Sequence, residues 1–214
     1  LASLAFALLA GACAAPPPPP PPRPAPPPLD LAAACRADLA AAGVAFDPQP
    51  SPSTYPGCAV DNPVRVRGDS WMDWNRPALM SCATARTLER FEAEVVQPNA
   101  MRLLGQAVTR LDHMGAYECR TRRTSSQPVA QKGADTARGG RLSEHARGQA
   151  FDLGGFRLAD GSTVTVKRDW KGAGAKSEFL QAVARGACDY FSVVLTPNFN
   201  ALHADHLHLD IGPH

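Results

Sequence analysis

Apolar positions recur at helical spacing through the first half of this chain and alternate in strand fashion through most of the second. Residues 29–43 carry Leu31, Cys35, Leu39 and Ala42 at intervals of three or four, and Gly43 follows as a stop, which predicts a helix. Five prolines between Pro48 and Pro63 predict an irregular loop, and Val64-Arg65-Val66 a short strand. Leu88, Phe91 and Val95 share one face of a predicted helix over residues 84–96, which Pro98 interrupts. A second helix is predicted over 100–111 from Leu103, Leu104, Ala107, Val108 and Leu111. Strands are then predicted at 116–122 and 149–158, the latter turning through Asp160-Gly161 into 163–168 as a hairpin. A helix over 176–187 and strands at 190–195 and 206–211 complete the series. Helices first and strands afterwards predict an α+β domain: a small antiparallel sheet with helices on one side. Residues 124–141 have little apolar content and read as a loop, a candidate flap over a site.

Composition divides the chain into three parts. Residues 1–13 hold a short apolar run that suits an export signal and cannot span a bilayer. Cys13 follows small residues, as at a bacterial lipoprotein cleavage site, so membrane attachment through a lipidated Cys13 is one expectation and ordinary cleavage nearby is the other. Residues 14–28 are a proline-rich linker, extended at about 3.1 Å per residue. Residues 29–214 suffice for one domain with its own core. Periplasm or cell envelope is the expected location.

Export makes the cysteines informative. Cys35, Cys58, Cys82, Cys119 and Cys188 are widely spaced, which favours disulfides over a zinc knuckle. The expected pairing is Cys58–Cys82 and Cys119–Cys188, with Cys35 left over. Net charge is +2 with no long basic run, and no nucleic-acid partner is expected. The loose cluster of Arg120, Arg122 and Arg123 reads as a solvated face, and Trp71, Trp74 and Trp170 read as packing residues before a sugar groove.

Two stretches carry candidate chemistry, Ser143-Glu-His145-Ala-Arg-Gly148-Gln-Ala150-Phe-Asp152 and His203-Ala-Asp205-His206-Leu-His208. Seven residues separate His145 from Asp152, which fits a ligand on a loop, a turn through Gly148 and a second ligand on the strand that follows. His206 and His208 point to one face of a strand, Leu207 and Leu209 to the other. His203 and Asp205 precede them within reach of the same pocket. Zinc in hydrolases takes three such ligands and leaves a place for water. Glu144 and Arg147 flank the first stretch and read as exposed.

The first stretch resembles the zinc signature of the superfamily that contains D-alanyl-D-alanine metallocarboxypeptidases, vancomycin-resistance dipeptidases, murein endopeptidases and the Hedgehog domain. From about Cys35 to the end the chain is also similar to the bacterial extensin-like C-terminal family. The resemblance implies His145, Asp152 and His208 as ligands of Zn²⁺. Many members carry a Glu as general base before the last ligand, where this chain has Asp205, and the His203-x-x-His206-x-His208 spacing is similar to the murein endopeptidase branch. It implies His203 or Asp205 as the base, His206 beside the tetrahedral intermediate, and Arg120, from the segment Tyr117-Glu118-Cys119-Arg120, as a cation near the developing oxyanion. The implied function is a zinc peptidase of carboxypeptidase or endopeptidase type with peptidoglycan as partner. The alternative is a wall-binding or structural envelope domain that keeps the fold and the metal.

Overall fold

The structure, a computed structural model, describes residues 30–122 and 141–213. The leader, the linker, Cys13 and almost all of the 124–141 loop lie outside the described residues. Asp30 caps helix α1 (Leu31–Ala41) by accepting the Ala33 N–H, and Gly43, at φ 76°, turns the chain out of it. Strands β1 (Ala45–Pro48), β2 (Pro63–Gly68) and β3 (Asp73–Ser81) form an antiparallel edge. Ser81 then caps α2 (Cys82–Phe91), which runs through a π-helical turn (Glu92–Val96) into α3 (Gln97–Leu104). Strand β4 (Val108–Gly115), strand β5 (Ala150–Leu158) and strand β6 (Thr163–Thr165) follow. Helices α4 (Val166–Asp169) and α5 (Ala175–Ala187), then strands β7 (Val193–Leu195) and β8 (Leu207–Asp210), close the chain.

The eight strands make one sheet in the order β1-β2-β3-β4-β5-β8-β7, with β6 paired to β5. All pairings are antiparallel except a short parallel contact of β3 with β4. The α+β expectation holds. Alternation along β5 and β8 puts Phe151, Leu153, Leu207 and Leu209 in the core with no exposed surface. Their fully buried side chains each contribute about 1.5–3 kcal/mol by removal from water. The opposite face carries Asp152, His208 and Asp210. The β5–β8 register sets Asp152 directly across from His208.

Several local expectations change. Pro98 does not interrupt a helix: it sits in the first turn of α3, and the rod from α2 to α3 is continuous. The helix expected over 100–111 ends at Leu104, because Gly105 adopts a left-handed conformation, and 108–115 is strand. Strand β3 was not expected. Residues 116–122 are irregular, with a single bridge from Thr121 to Leu142. The 163–168 strand shortens to β6, since Asp169 accepts the Thr165 N–H and starts a helical turn.

The disulfide expectation was wrong. The bonds are Cys35–Cys82 and Cys58–Cys119, and Cys188 is free and exposed. Cys35–Cys82 ties α1 to the start of α2, and Cys58–Cys119 ties the 56–58 turn to the segment after β4. Spacing along the chain carried no information on which elements would meet. Among the described residues no helix is long and apolar enough to cross a membrane.

Candidate metal centre

His145 lies in a 3-10 turn (Glu144–Arg147) that Gly148 closes at φ 64°. A Cβ on Gly148 would come 2.9 Å from the Ser81 backbone nitrogen and 3.1 Å from Met80 Cα, so glycine alone lets this turn sit against β3. The His145 Nδ1–H donates to the Ala116 carbonyl at 2.5 Å, which aims Nε2 at the sheet face. The Glu118 N–H donates back to the His145 carbonyl, and the Tyr117 hydroxyl donates to Cys58 O. The Cys58–Cys119 bond thus braces the segment that orients His145.

His145 Nε2 is 3.2 Å from Asp152 Oδ1 and 3.2 Å from His208 Nδ1, and those last two atoms are 3.0 Å apart. Ligand atoms about 2.0–2.1 Å from a tetrahedral ion lie about 3.3–3.4 Å from one another, so the triangle has the right size. These three residues are the group among the described residues whose donor atoms could hold a metal ion. His208 Nε2 faces Asp210 Oδ2 at 3.2 Å, and Asp210 Oδ1 accepts the Gly212 N–H. Each imidazole therefore turns one nitrogen to the triangle and the other to a backbone or carboxylate oxygen, the arrangement that fixes a metal-ligating ring.

Burial pushes the Asp152 carboxyl up, but His145, His208 and His206 around it outweigh burial and hold it well below the usual carboxylate range. Burial pushes His208 down, but its bonds to Asp152 and Asp210 prevail and raise it to about 9. A cation would displace that proton, because only the neutral ring can ligate.

His145 is buried, and Asp152 and His208 line a cleft of about 370 Å³. His203 and His206 line it beside the triangle, with ring centroids 5.3 Å apart. The His203 Nδ1–H donates to Asn200 Oδ1 at 2.7 Å, leaving Nε2 as an acceptor. Burial, then His206 and His208, push His203 down to about 4, so this ring is neutral at pH 7. His206 Nε2 is 3.5 Å from Asp152 Oδ1, and its Nδ1 pairs with Asp205 Oδ1 at 2.9 Å. Arg120 also lines the cleft, its Nε donating to Glu118 Oε2 at 2.7 Å.

The seven residues singled out in the sequence fall together, with Asp205 at one remove behind His206. Glu144 departs from its expected exposure: it is 4% exposed, lines the cleft and pairs with Arg122. Arg122 also lines the cleft and is no purely solvated residue. Trp74 and Trp170 are buried and Trp71 is exposed, as packing and surface residues. Asp210 was missed, although its place two residues after His208 on a strand puts it on the same face.

The family model described as extensin-like protein C-terminus matches residues 33–214. The chain belongs to this family. No curated protein and no solved structure matches it. Membership suggests a cell-envelope protein, and two disulfides in an extensin-like domain fit an exported one.

Proposed function

We propose that this extensin-like domain is an exported zinc peptidase that hydrolyses amide bonds in the peptide stems of peptidoglycan. The observation that carries the reading is the triangle of His145 Nε2, Asp152 Oδ1 and His208 Nδ1, sides 3.0–3.2 Å, two of whose members, Asp152 and His208, line a cleft. Two imidazoles and one carboxylate are a zinc donor set, and three protein ligands are the number found in catalytic rather than structural zinc sites. Bound there, zinc acts as a Lewis acid that acidifies water and polarises an amide carbonyl.

The residues of the chain divide the remaining work. His203 accepts a proton from the attacking water: Asn200 holds its Nδ1–H, and its free Nε2 is neutral at pH 7. Asp205 is the weaker candidate for that task, because its carboxylate is engaged by His206 Nδ1. It serves instead to turn His206 Nε2 toward the cleft. His206 and the Arg120 guanidinium flank the place where negative charge develops on the carbonyl oxygen. Attachment to a membrane through an acylated Cys13, with residues 14–28 as spacer, belongs to the same proposal.

One feature favours a second reading, a wall-binding domain without turnover: Asp205 replaces the Glu implied by the resemblance and pairs with His206. Protein purified without added zinc should carry one zinc per chain, and purified sacculi should release muropeptide fragments that EDTA suppresses. Binding to sacculi with no fragments released would favour the second reading. Protein that neither retains nor takes up zinc would overturn both.

A further inference from the structure

The lining of the cleft is of two chemical kinds. Val193, Leu195 and Phe199, the last 63% exposed, are apolar; Arg120 and Arg122 are cationic. We infer that Arg122, held from behind by the buried Glu144, is the specificity-determining residue of this cleft and receives a carboxylate of the substrate. The inference rests on reading the cleft as a peptide site and adds which peptides it takes.

The geometry around Glu144 carries it. Its carboxylate is buried, Oε1 accepting from Arg122 Nη2 at 3.1 Å while Oε2 lies 3.6 Å from Arg147 Nη1 and has no hydrogen bond. A buried carboxylate oxygen without a hydrogen bond costs about 1–3 kcal/mol, so a surface ion pair would be the cheaper arrangement. The backbone makes room for it: a Cβ on Gly212 would stand 2.6 Å from Glu144 Cδ. Arg122 is pinned at a second point, its Nε donating to the Leu142 carbonyl at 3.3 Å. A guanidinium fixed at two points, with 38% of its side chain exposed, is pre-organised for a carboxylate. The neighbouring Arg120 is paired with a different carboxylate, that of Glu118.

The carboxylate has two possible sources, the C-terminus of the peptide or an internal acidic side group, corresponding to carboxypeptidase and endopeptidase use. Three fluorescent stem pentapeptides separate them: one with free carboxylates, one amidated at the C-terminus and one amidated at the internal carboxylates. Binding is read by anisotropy on EDTA-treated protein, which keeps recognition apart from hydrolysis. The free peptide should bind about tenfold more tightly than one of the amidated peptides. That ratio should fall below about twofold in Arg122→Gln and to an intermediate value in Arg122→Lys, which keeps the charge but loses the fork. An equal affinity for all three peptides, no binding of any, or a ratio unchanged in Arg122→Gln would overturn the inference. Intact zinc-loaded protein that shows the ratio yet releases no product leaves the inference standing and sinks the peptidase reading.

Discussion

Two clusters of polar atoms are buried in this domain, and their carboxyl groups are shifted in opposite directions. In the first, His145, Asp152 and His208 meet across the β5–β8 register, and each ring nitrogen turned away from the triangle has a hydrogen-bond partner. In the second, Glu92 opens the π-helical turn beside Asp69 and Trp74. Glu92 Oε1 and Oε2, Asp69 Oδ2 and Trp74 Nε1 have no hydrogen-bond partner among the described residues. Burial raises both Asp152 and Glu92. Three histidines reverse the effect at Asp152, whereas the neighbouring Asp69 adds to it at Glu92 and pushes that carboxyl further up. Burial alone therefore does not mark a functional acid. What distinguishes a cation site is a charged acid whose neighbours are themselves held in place, open to a cleft.

The comparison breaks most sharply at a ligand. His208→Ala should lose both zinc and hydrolysis completely, read by metal analysis and by fragment release from sacculi. Retained stoichiometry in that variant would refute the ligand assignment. The next effect separates the two disulfides. They close loops of similar length, with sequence separations of 47 and 61, so removing either should cost about 4 kcal/mol of stability on the chain-entropy model. Only Cys58–Cys119 braces the segment whose Ala116 carbonyl orients His145. Cys58→Ser/Cys119→Ser should therefore also weaken zinc binding by about 10–100-fold. Cys35→Ser/Cys82→Ser should leave it unchanged, as measured by competition with a chromogenic chelator below the melting temperature of each variant.

Much of the candidate site was legible because it is written locally. A strand sends alternate residues to one face, so His206 and His208 had to emerge together, and Gly148 between His145 and Asp152 signals a sharp turn. The irregular parts were not legible, because side chains replace the backbone ladder there. Both the N–H and the carbonyl of Val108 bond to the Gln97 side chain, and those of His113 to the Asn75 side chain. Strand β4 therefore lacks clean alternation, and its start was read as helix. Pro77 and the exposed polar residues beside it hid β3 in the same way. Glu144 escaped notice because its burial depends on Gly212, far along the chain.

A smaller effect tests the support of the other ligand. Asp210→Asn keeps an oxygen for the His208 Nε2–H but removes the charge, so zinc affinity should fall about tenfold with the fold intact. An unchanged affinity in the same competition assay would mean that packing alone orients His208.

The smallest effect on the metal centre, none, belongs to Glu92, and it sharpens the contrast from the other side. With its folded pKa held well above the ordinary 4.5, the native state binds a proton that the unfolded chain releases. The associated stability is present in full below the unfolded pKa and is lost as pH rises toward the folded value, at up to about 1.4 kcal/mol per pH unit. Glutamine has the shape of the protonated acid and does not titrate. Urea midpoints at a series of pH values should decline for the wild type relative to Glu92→Gln, with zinc stoichiometry the same in both. Parallel midpoints would mean that Glu92 is ionised in the folded protein and that the two buried clusters differ less than their partners imply.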